Sequence, residues 1–259
     1  MQFLGDIGRD GSGLIVKRAL DDIGVDTSLM RADKVRRPRS ATLTAQARAS
    51  RCIVLVDAAT SDNAMVVASE PDVTPLRLPD FSGVDAMTVN NEIDIAEIRR
   101  ALEAASEAGV LTIANPSPLP QPWSIFPHEL VDWLIVNEHE YAIARASGKA
   151  AVLGRIGTVI TLGELGARAE TRSGLIVECP LHVSVQPRNT VGAGDCFLGY
   201  LATAIARLPR HLTADQLLAA LELAPSRSVL IEAMPSYPRL KCVLSRSHDA
   251  SGKQLRLSW

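Results

Sequence analysis

Aromatic residues are scarce in this chain: four Phe, three Trp and three Tyr occur among 259 residues. Nearly half of the residues are nevertheless hydrophobic, at 47%, so the core must be built mainly from aliphatic side chains. A core of this composition is typical of helices packed on a parallel sheet. The chain is long enough for one large α/β domain or two small ones.

An excess of charge is also missing, because 27 basic and 29 acidic residues leave a formal net charge of −2. The sequence therefore gives no electrostatic footprint for nucleic acid or for an anionic membrane surface. Cysteines are few, at positions 52, 179, 196 and 242, and no C-x-x-C pair occurs. This spacing argues against a zinc or disulfide framework and predicts reduced, mostly buried thiols.

Long apolar runs are absent too, and none approaches the length of a membrane-spanning helix. Residues 1–13 lack the basic start and apolar centre of a secretion signal. The five histidines show no metal-ligand spacing, and we interpret them as surface or packing residues. We therefore expect a cytoplasmic protein that binds neither nucleic acid nor a membrane.

From about residue 83 onward, short apolar runs alternate with amphipathic runs. VLTIAN, VDWLIVN and TVITLG predict buried strands, whereas the amphipathic runs predict helices that stop at Gly109 and Gly148. Such alternation predicts a doubly wound, mostly parallel sheet flanked by helices. Ligands bind such sheets beyond the carboxyl ends of the strands.

Three other segments carry separate expectations. Residues 31–80 contain short strand-like pieces, which predict a small β element beside the main sheet. HVSVQP, at 182–187, alternates apolar and polar residues and predicts an edge strand. Pro225 is expected to break the last helix, because proline lacks the amide that a helix interior needs.

The stretch Gly192-Ala193-Gly194-Asp195 precedes a clear helical pattern that Pro209 ends. The first turn of a helix has unpaired amides and partial positive charge, and glycine lets an oxyanion approach them closely. Asp195 would repel a phosphate, but it could take a proton from a hydroxyl that attacks phosphorus. The alternative is that Asp195 is an N-cap behind an ordinary turn.

Several segments together resemble the ribokinase-like (PfkB-type) carbohydrate kinases. NTVGAGDCF at 189–197 is similar to the family's D-T-x-G-A-G-D-x-F, VNEHEYAIA at 136–144 to its N-x-x-E element, and TLGELGA at 161–167 to T-L-G-x-x-G-A. Four further likenesses are ANPSP at 114–118, VNNEID at 89–94, AMPSYP at 233–238 and the early segment GDIGRDGSG…ALDDIGVDTS. The segments follow family order, and the likeness is strongest to ribokinases.

The resemblance implies a phosphotransferase that uses ATP and Mg²⁺. By the family pattern, Asp195 is the base that deprotonates the sugar's 5-hydroxyl. The amides of Gly192, Ala193 and Gly194 form the anion hole for the transferred phosphoryl group, and Gly194 also contacts ATP. The resemblance implies a single ribokinase-like domain over residues 1–259, incomplete at its N-terminus, with remnants of a β lid in 31–80.

The resemblance also implies a nucleotide site. Asn137 lies near the triphosphate, and Glu140 binds Mg²⁺ through water. From the residues alone, Asn137 could equally be a helix N-cap that Glu140 completes as a capping box. The second nucleotide element is the run Thr161, Leu162, Gly163, Glu164, Leu165 and Gly166. Read alone, this run is more often only a turn.

Glu92 falls where ribokinases hold a sugar hydroxyl, although a lone Glu in a loop is more often simply solvated. Asn189 and Val191 fall at the family's monovalent-cation site. Asn189 replaces the usual Asp, which keeps an oxygen ligand but loses the charge. K⁺ is therefore a possible activator. The family often pairs through its β lid, so the expected partners are ATP, a small sugar and a second copy in a homodimer.

Two departures from the family pattern stand out. The glycine-rich G-G-x-x-x-N-x-A segment that clasps the sugar is absent, which predicts an incomplete sheet with an exposed apolar edge. The adenine-flanking helix is short, and residues 240–259 form a divergent tail. The leading expectation is an ATP-dependent kinase that converts D-ribose to ribose 5-phosphate. A PfkB-type kinase for another sugar or nucleoside stays open.

Two further alternatives also stay open. One is a catalytically impaired relative that only binds nucleotide or a partner, because the sugar clasp is missing. The other is a dinucleotide-binding oxidoreductase, since GRDGSG at 8–13 distantly resembles a glycine fingerprint. The fingerprint's spacing is wrong, and we predict no strand ahead of it.

Overall fold

A computed structural model describes the backbone of residues 1–8, 10–31, 51–56, 63–68, 75–148, 154–181 and 192–232. Within these ranges, ten strands and five α-helices occur. The strands are β1 (Gly5–Asp6), β2 (Met30–Arg31), β3 (Arg51–Val56), β4 (Asn63–Ala68), β5 (Ala86–Asn90), β6 (Leu111–Asn115), β7 (Trp133–Asn137), β8 (Gly157–Thr161), β9 (Ala167–Thr171) and β10 (Ile176–Cys179). The helices are α1 (Gly11–Asp22), α2 (Ile95–Glu107), α3 (Glu138–Ala146), α4 (Ala193–Ile205) and α5 (Ala214–Glu232).

The main sheet has six strands in the order β10-β9-β8-β7-β6-β5. The strands β5 to β8 run parallel, β9 pairs antiparallel with β8, and β10 pairs antiparallel with β9. The helix α2 connects β5 to β6 and α3 connects β7 to β8, as the alternation of apolar and amphipathic runs predicts, whereas a loop with two 3-10 turns connects β6 to β7. The predicted α/β class and the mostly parallel sheet are confirmed.

Helices cover both faces of this sheet. Along β7, Trp133 and Ile135 join one core with α4 and α5, whereas Leu134 and Val136 join a second core with α2 and α3. Since successive side chains of a strand point to opposite faces, a strand that is apolar throughout must be buried on both sides. The sheet is therefore doubly wound.

The helix ends follow from local sequence. Asp94 caps α2 by accepting a hydrogen bond from the Ala96 amide at 2.8 Å. Gly109 and Gly148, with φ of 74° and 80°, follow α2 and α3 in the left-handed conformation that ends a helix. Both glycines stand where the sequence predicted helix stops.

Two small sheets accompany the main one. β1 and β2 pair in parallel, and β3 and β4 form an antiparallel hairpin within residues 31–80. The strand β1 precedes α1, so the expectation of no strand ahead of residues 8–13 was wrong. Two residues are too few to show an apolar pattern, which explains the miss. Within the described ranges, no strand pairs with the outer edge of β5.

Pro225 does not break the last helix, contrary to the sequence expectation, because α5 runs on to Glu232. Proline deprives the carbonyl four residues earlier of its helical donor. Leu217 and Leu221 are fully buried against the sheet, and we attribute the continuation to this packing. The predicted edge strand at 182–187 lies outside the described residues. No helix in the part of the chain that the structure describes has the length and apolarity of a membrane span.

Asp132 stabilises the amino-terminal edge of the sheet and is only 2% exposed. Its carboxylate accepts a hydrogen bond from the Thr112 amide and one from Arg155 Nε, each at 3.0 Å. Arg155 Nη1 continues to the Ser106 hydroxyl at 2.9 Å, near the end of α2. One buried carboxylate thus links β6, β7, α2 and the segment that leads into β8.

Arg210 brings the α4–α5 connection to the same edge. Its Nη2 donates to the Gly109 carbonyl at 3.0 Å, and its Nη1 lies 4.0 Å from Asp132 Oδ2. The thirteen residues of α4 span about 20 Å, slightly more than the ~17 Å of a five-residue strand. Because α4 ends near the amino edge, it begins near the carboxyl edge.

Replacement of Asp132 by Asn should lower the free energy of unfolding by about 2–3 kcal/mol, since a buried charge-assisted pair with Arg155 is lost. Urea denaturation measures the loss. The control is Glu129→Gln, which removes an exposed ion pair of Glu129 with Arg99 at 2.8 Å and should cost under about 1 kcal/mol. Equal losses in the two variants would contradict the role given to Asp132.

Candidate active site

The beginning of α4 presents backbone amides that have no partner within the helix. Gly192 is the N-cap, with φ of 81°, and no side chain caps the helix. The first helical hydrogen bond runs from the Cys196 amide to the Gly192 carbonyl at 3.0 Å. The amides of Ala193 and Gly194 therefore have no partner within the helix, as at every helix start. With the helix dipole, they form a place where an anion is stabilised.

Asp195 is the third residue of α4 and is exposed. Because Gly192 is the N-cap, the alternative that Asp195 caps the helix is wrong. The Asp195 carboxylate makes no hydrogen bond or ion pair with any described residue. A carboxylate held at a helix start and left open to solvent can accept a proton from a bound hydroxyl.

The two glycines of this turn differ in what they require. Gly192 has a positive φ that side chains rarely adopt, so the backbone itself needs glycine there. Gly194 is helical, and a Cβ at this position would meet open space. The described structure therefore gives no internal reason for glycine at 194. A ligand that approaches the amides would supply one.

Asn137 and Glu140 form the capping box that sequence reasoning left as an alternative. The Glu140 amide donates to Asn137 Oδ1 at 2.8 Å, and the Asn137 amide donates to Glu140 Oε2 at 2.9 Å. Asn137 is at once the last residue of β7 and the N-cap of α3. The box does not use Nδ2 of Asn137 or Oε1 of Glu140. The box therefore fixes both side chains, and each side chain keeps one atom that can contact a ligand.

Residues 162–166 connect β8 to β9 as a tight hairpin. The Leu162 amide donates to the Gly166 carbonyl at 2.8 Å, and a 3-10 turn spans Gly163–Leu165. Gly163 has φ of 56° and faces open space, whereas Gly166 has φ of 98°. Glu164 and Leu165 are exposed, and Leu165 keeps 66% of its surface accessible.

The structure explains why glycine is required at position 166, which the sequence alone did not reveal. A Cβ there would overlap the Cys179 carbonyl and the Leu181 amide. The backbone beyond β10 thus passes directly over Gly166, and only glycine allows this approach. This contact explains the glycine without a ligand, while Gly163 keeps its open surroundings.

The parallel register places these elements at one edge of the sheet. Asn137 pairs with Thr161 across β7 and β8, and Asn90 pairs with Asn115 across β5 and β6. Each of these residues is the last of its strand. The start of α4 lies near the same edge, since Arg210, in the connection that follows α4, reaches Asp132 at the opposite one. The sequence-predicted nucleotide residues and Asp195 are therefore on a common side.

Glu92 also lies at this edge, in the turn after β5. It is exposed, and its Oε2 accepts a hydrogen bond from Asn90 Nδ2 at 3.1 Å. The neighbouring Asn91, which the sequence did not single out, ties this turn to the loop after β6. Asn189 and Val191, the predicted cation ligands, lie outside the described residues.

Two side chains with a shifted pKa lie on helices that adjoin the site. Hydrogen bonds from Arg100 hold the pKa of Glu97, in the first turn of α2, below its usual range. Burial and a hydrogen bond to Glu170 raise the pKa of Tyr141 on α3. Both groups are engaged in fixed side-chain contacts that secure the helices, and neither is exposed for proton transfer.

Comparison with protein families assigns the chain. The model of the pfkB family carbohydrate kinases matches residues 1–224. The chain therefore belongs to the pfkB family of carbohydrate kinases, whose members are phosphotransferases. None of the curated proteins compared with the chain matches it.

Solved structures agree in fold. Ribokinase from Cryptococcus neoformans var. grubii serotype A, in complex with ADP, is 23% identical with a TM-score of 0.64 over 88% of this chain and 79% of that one. Aminoimidazole riboside kinase from Salmonella enterica, with aminoimidazole riboside and an ATP analogue, is 21% identical with a TM-score of 0.67 over 90% and 80%.

A double mutant of fructokinase from Vibrio cholerae O395, with fructose, ADP and a potassium ion bound, is 21% identical with a TM-score of 0.69 over 90% of this chain and 79% of that one. At such identities the likeness establishes the fold, which is ribokinase-like. It leaves the sugar substrate open.

The two glycines before Asp195 should respond differently to alanine. Gly194→Ala should keep the stability of the fold, because the methyl group meets open space, but should lower sugar phosphorylation about 100-fold by obstructing the amides. Gly192→Ala should lower the free energy of unfolding by about 1–2 kcal/mol, because its φ is left-handed. Thermal unfolding and steady-state rates separate the two effects. Full activity in Gly194→Ala would contradict a phosphoryl site at these amides.

Proposed function

We propose that the protein is an ATP-dependent sugar kinase that converts D-ribose and ATP to D-ribose 5-phosphate and ADP. The observation that carries the proposal is the start of α4, where an exposed Asp195 follows amides without a partner in the helix, at the carboxyl edge of the sheet. Membership of the pfkB family supports a sugar as the phosphoryl acceptor.

Ribose is favoured over other sugars by the sequence. VNNEID at 89–94 and AMPSYP at 233–238 are most similar to ribokinases. In this proposal Glu92 accepts hydrogen bonds from ribose hydroxyls, for which an exposed carboxylate without an ion pair to the described residues is suited. Fructokinase and aminoimidazole riboside kinase are also structural neighbours, so fructose and a nucleoside are the competing substrates to test.

The proposed reaction begins with proton transfer to Asp195. Its carboxylate takes the proton of the ribose 5-hydroxyl as that oxygen attacks the γ-phosphorus of ATP. The bond between the γ-phosphorus and the bridging oxygen breaks, and ADP leaves with that electron pair. The amides of Gly192, Ala193 and Gly194 stabilise the charge on the transferred phosphoryl oxygens.

The nucleotide would lie along the ends of β7 and β8. Asn137 Nδ2, which the capping box leaves available, suits a phosphate oxygen, and residues 161–166 offer a short turn for the ribose and adenine. Gly194 completes the ATP contacts. Gly163 has a positive φ and open space beside it, which allows the nucleotide to approach the backbone closely.

Magnesium fits the donor set near Glu140. One carboxylate oxygen is committed to the Asn137 amide, while Oε1 remains for the metal's water shell. Mg²⁺ usually keeps several waters and is held by one or two carboxylates together with substrate phosphates. Bound there, the metal would supply charge neutralisation for the triphosphate. For K⁺, Asn189 and Val191 are the proposed ligands.

An ADP-release assay tests the function. The purified chain, with ATP, Mg²⁺ and K⁺, is given D-ribose, D-fructose, 2-deoxy-D-ribose and a nucleoside in separate reactions. We expect D-ribose to give the highest kcat/KM. Asp195→Asn, which keeps the size of the side chain but removes the base, should lower kcat for the preferred sugar by about 100- to 10,000-fold.

Sugar-dependent turnover no higher than that of Asp195→Asn would contradict the proposed kinase. Nucleotide binding without such turnover would instead indicate a family member that only binds nucleotide or a partner. A preference for another sugar would retain the reaction and correct the substrate.

A further inference from the structure

The turn after β5 is attached to the loop after β6 through one residue, Asn91. Its backbone amide donates to the Ser117 carbonyl at 3.2 Å, and its Nδ2 donates to the Pro118 carbonyl at 2.6 Å. Asn91 is half-buried, in contrast to the exposed Glu92 that follows it. The ladder between β5 and β6 ends at Asn90, so these two bonds extend the connection beyond the sheet.

The loop that receives these bonds is itself anchored in the core. Pro116 and Pro120 are buried on either side of the two acceptor carbonyls. Farther along, Trp123 and Phe126 are 3% and 0% exposed and stack with their ring centroids 5.4 Å apart. The packing of this loop holds the Ser117 and Pro118 carbonyls in place. The hydrogen bonds of Asn91 to these carbonyls therefore restrict the turn after β5.

Glu92 is held between two fixed neighbours. Asn91 precedes it, and Asp94 follows as the N-cap of α2, accepting from the Ala96 amide at 2.8 Å. Asn90 Nδ2 reaches back to Glu92 Oε2 at 3.1 Å. The carboxylate is thus oriented by one neutral amide, that of Asn90, and has no ion pair to a described residue. Its charge remains for a ligand at the carboxyl edge.

We propose that Asn91 is a positioning residue for sugar binding, which acts through Glu92. This inference rests on the proposed function, in which Glu92 accepts hydrogen bonds from the sugar. Without the Asn91 side-chain bond, the turn gains freedom, and Glu92 must be ordered when the sugar binds. The cost falls on sugar affinity and leaves the nucleotide side unaffected, because Asn137 and residues 161–166 are fixed by their own contacts.

The test compares steady-state kinetics of the full chain with Asn91→Asp. This substitution keeps the size of the side chain but removes the donor and sets a charge against the Pro118 carbonyl. We expect KM for D-ribose to rise about tenfold, corresponding to one lost hydrogen bond, while KM for ATP stays within about twofold. Asn91→Gln, which retains an amide donor, should recover part of the sugar affinity.

The control makes the same change, from a side-chain amide to a carboxylate, at a position away from the proposed sugar site. Gln216 lies in the first turn of α5, where its Oε1 accepts from the Thr213 amide at 3.0 Å. Gln216→Glu keeps that acceptor and should leave both KM values unchanged. Thermal unfolding of all variants, together with equilibrium binding of D-ribose, identifies any Asn91 variant whose effect comes from misfolding.

A double-mutant cycle tests the route through Glu92. If Asn91 acts by orienting Glu92, Asn91→Asp should add little to the KM increase already caused by Glu92→Gln. Additive increases would overturn the proposal, as would an unchanged sugar KM in a folded Asn91→Asp variant when the wild type turns over ribose. If the wild-type protein turned over none of the sugars, the proposed function would be contradicted, and this inference with it.

Discussion

The parallel register of β5 to β8 is the constraint on which the rest of the structure depends. It puts Asn90, Asn115, Asn137 and Thr161, each the last residue of its strand, at one edge of the sheet. Since the chain must leave every strand at that edge, the turns that follow collect there. The polar side chains that a ligand needs are therefore gathered by topology, although they are scattered along the sequence.

The opposite edge contributes stability. Asp132 binds Arg155 and the Thr112 amide in buried surroundings, and Arg210 fastens the α4–α5 connection beside it. This attachment also sets the direction of α4 and so brings its open amides to the carboxyl edge. Among the described residues, the first amides of α4 and the Asp195 carboxylate have no hydrogen-bond partner, whereas the polar groups at the amino edge are paired with one another. The capping box of Asn137 lies between these extremes, because it stabilises α3 and leaves ligand atoms available.

Much of the fold could be predicted because its strong signals are local. Buried strands such as β7 are apolar up to their last residue, and Gly109 and Gly148 stop their helices as the sequence predicted. The strand β9 was missed, since small and charged residues alternate there and give a weak apolar signal. The contact of Gly166 with the backbone after β10 and the bonds of Asn91 were also out of reach, because both join segments that are distant in sequence. The roles of the predicted site residues stay predictions.

The central claim is that phosphoryl transfer takes place at the start of α4. A crystal structure of the chain with ADP, Mg²⁺, aluminium fluoride as a mimic of the phosphoryl group, and D-ribose tests it most directly. We expect the mimic to accept hydrogen bonds from the amides of Ala193 and Gly194, with the ribose 5-hydroxyl within hydrogen-bonding distance of Asp195. A mimic bound away from these amides, or a ribose whose hydroxyls do not reach Asp195, would contradict it.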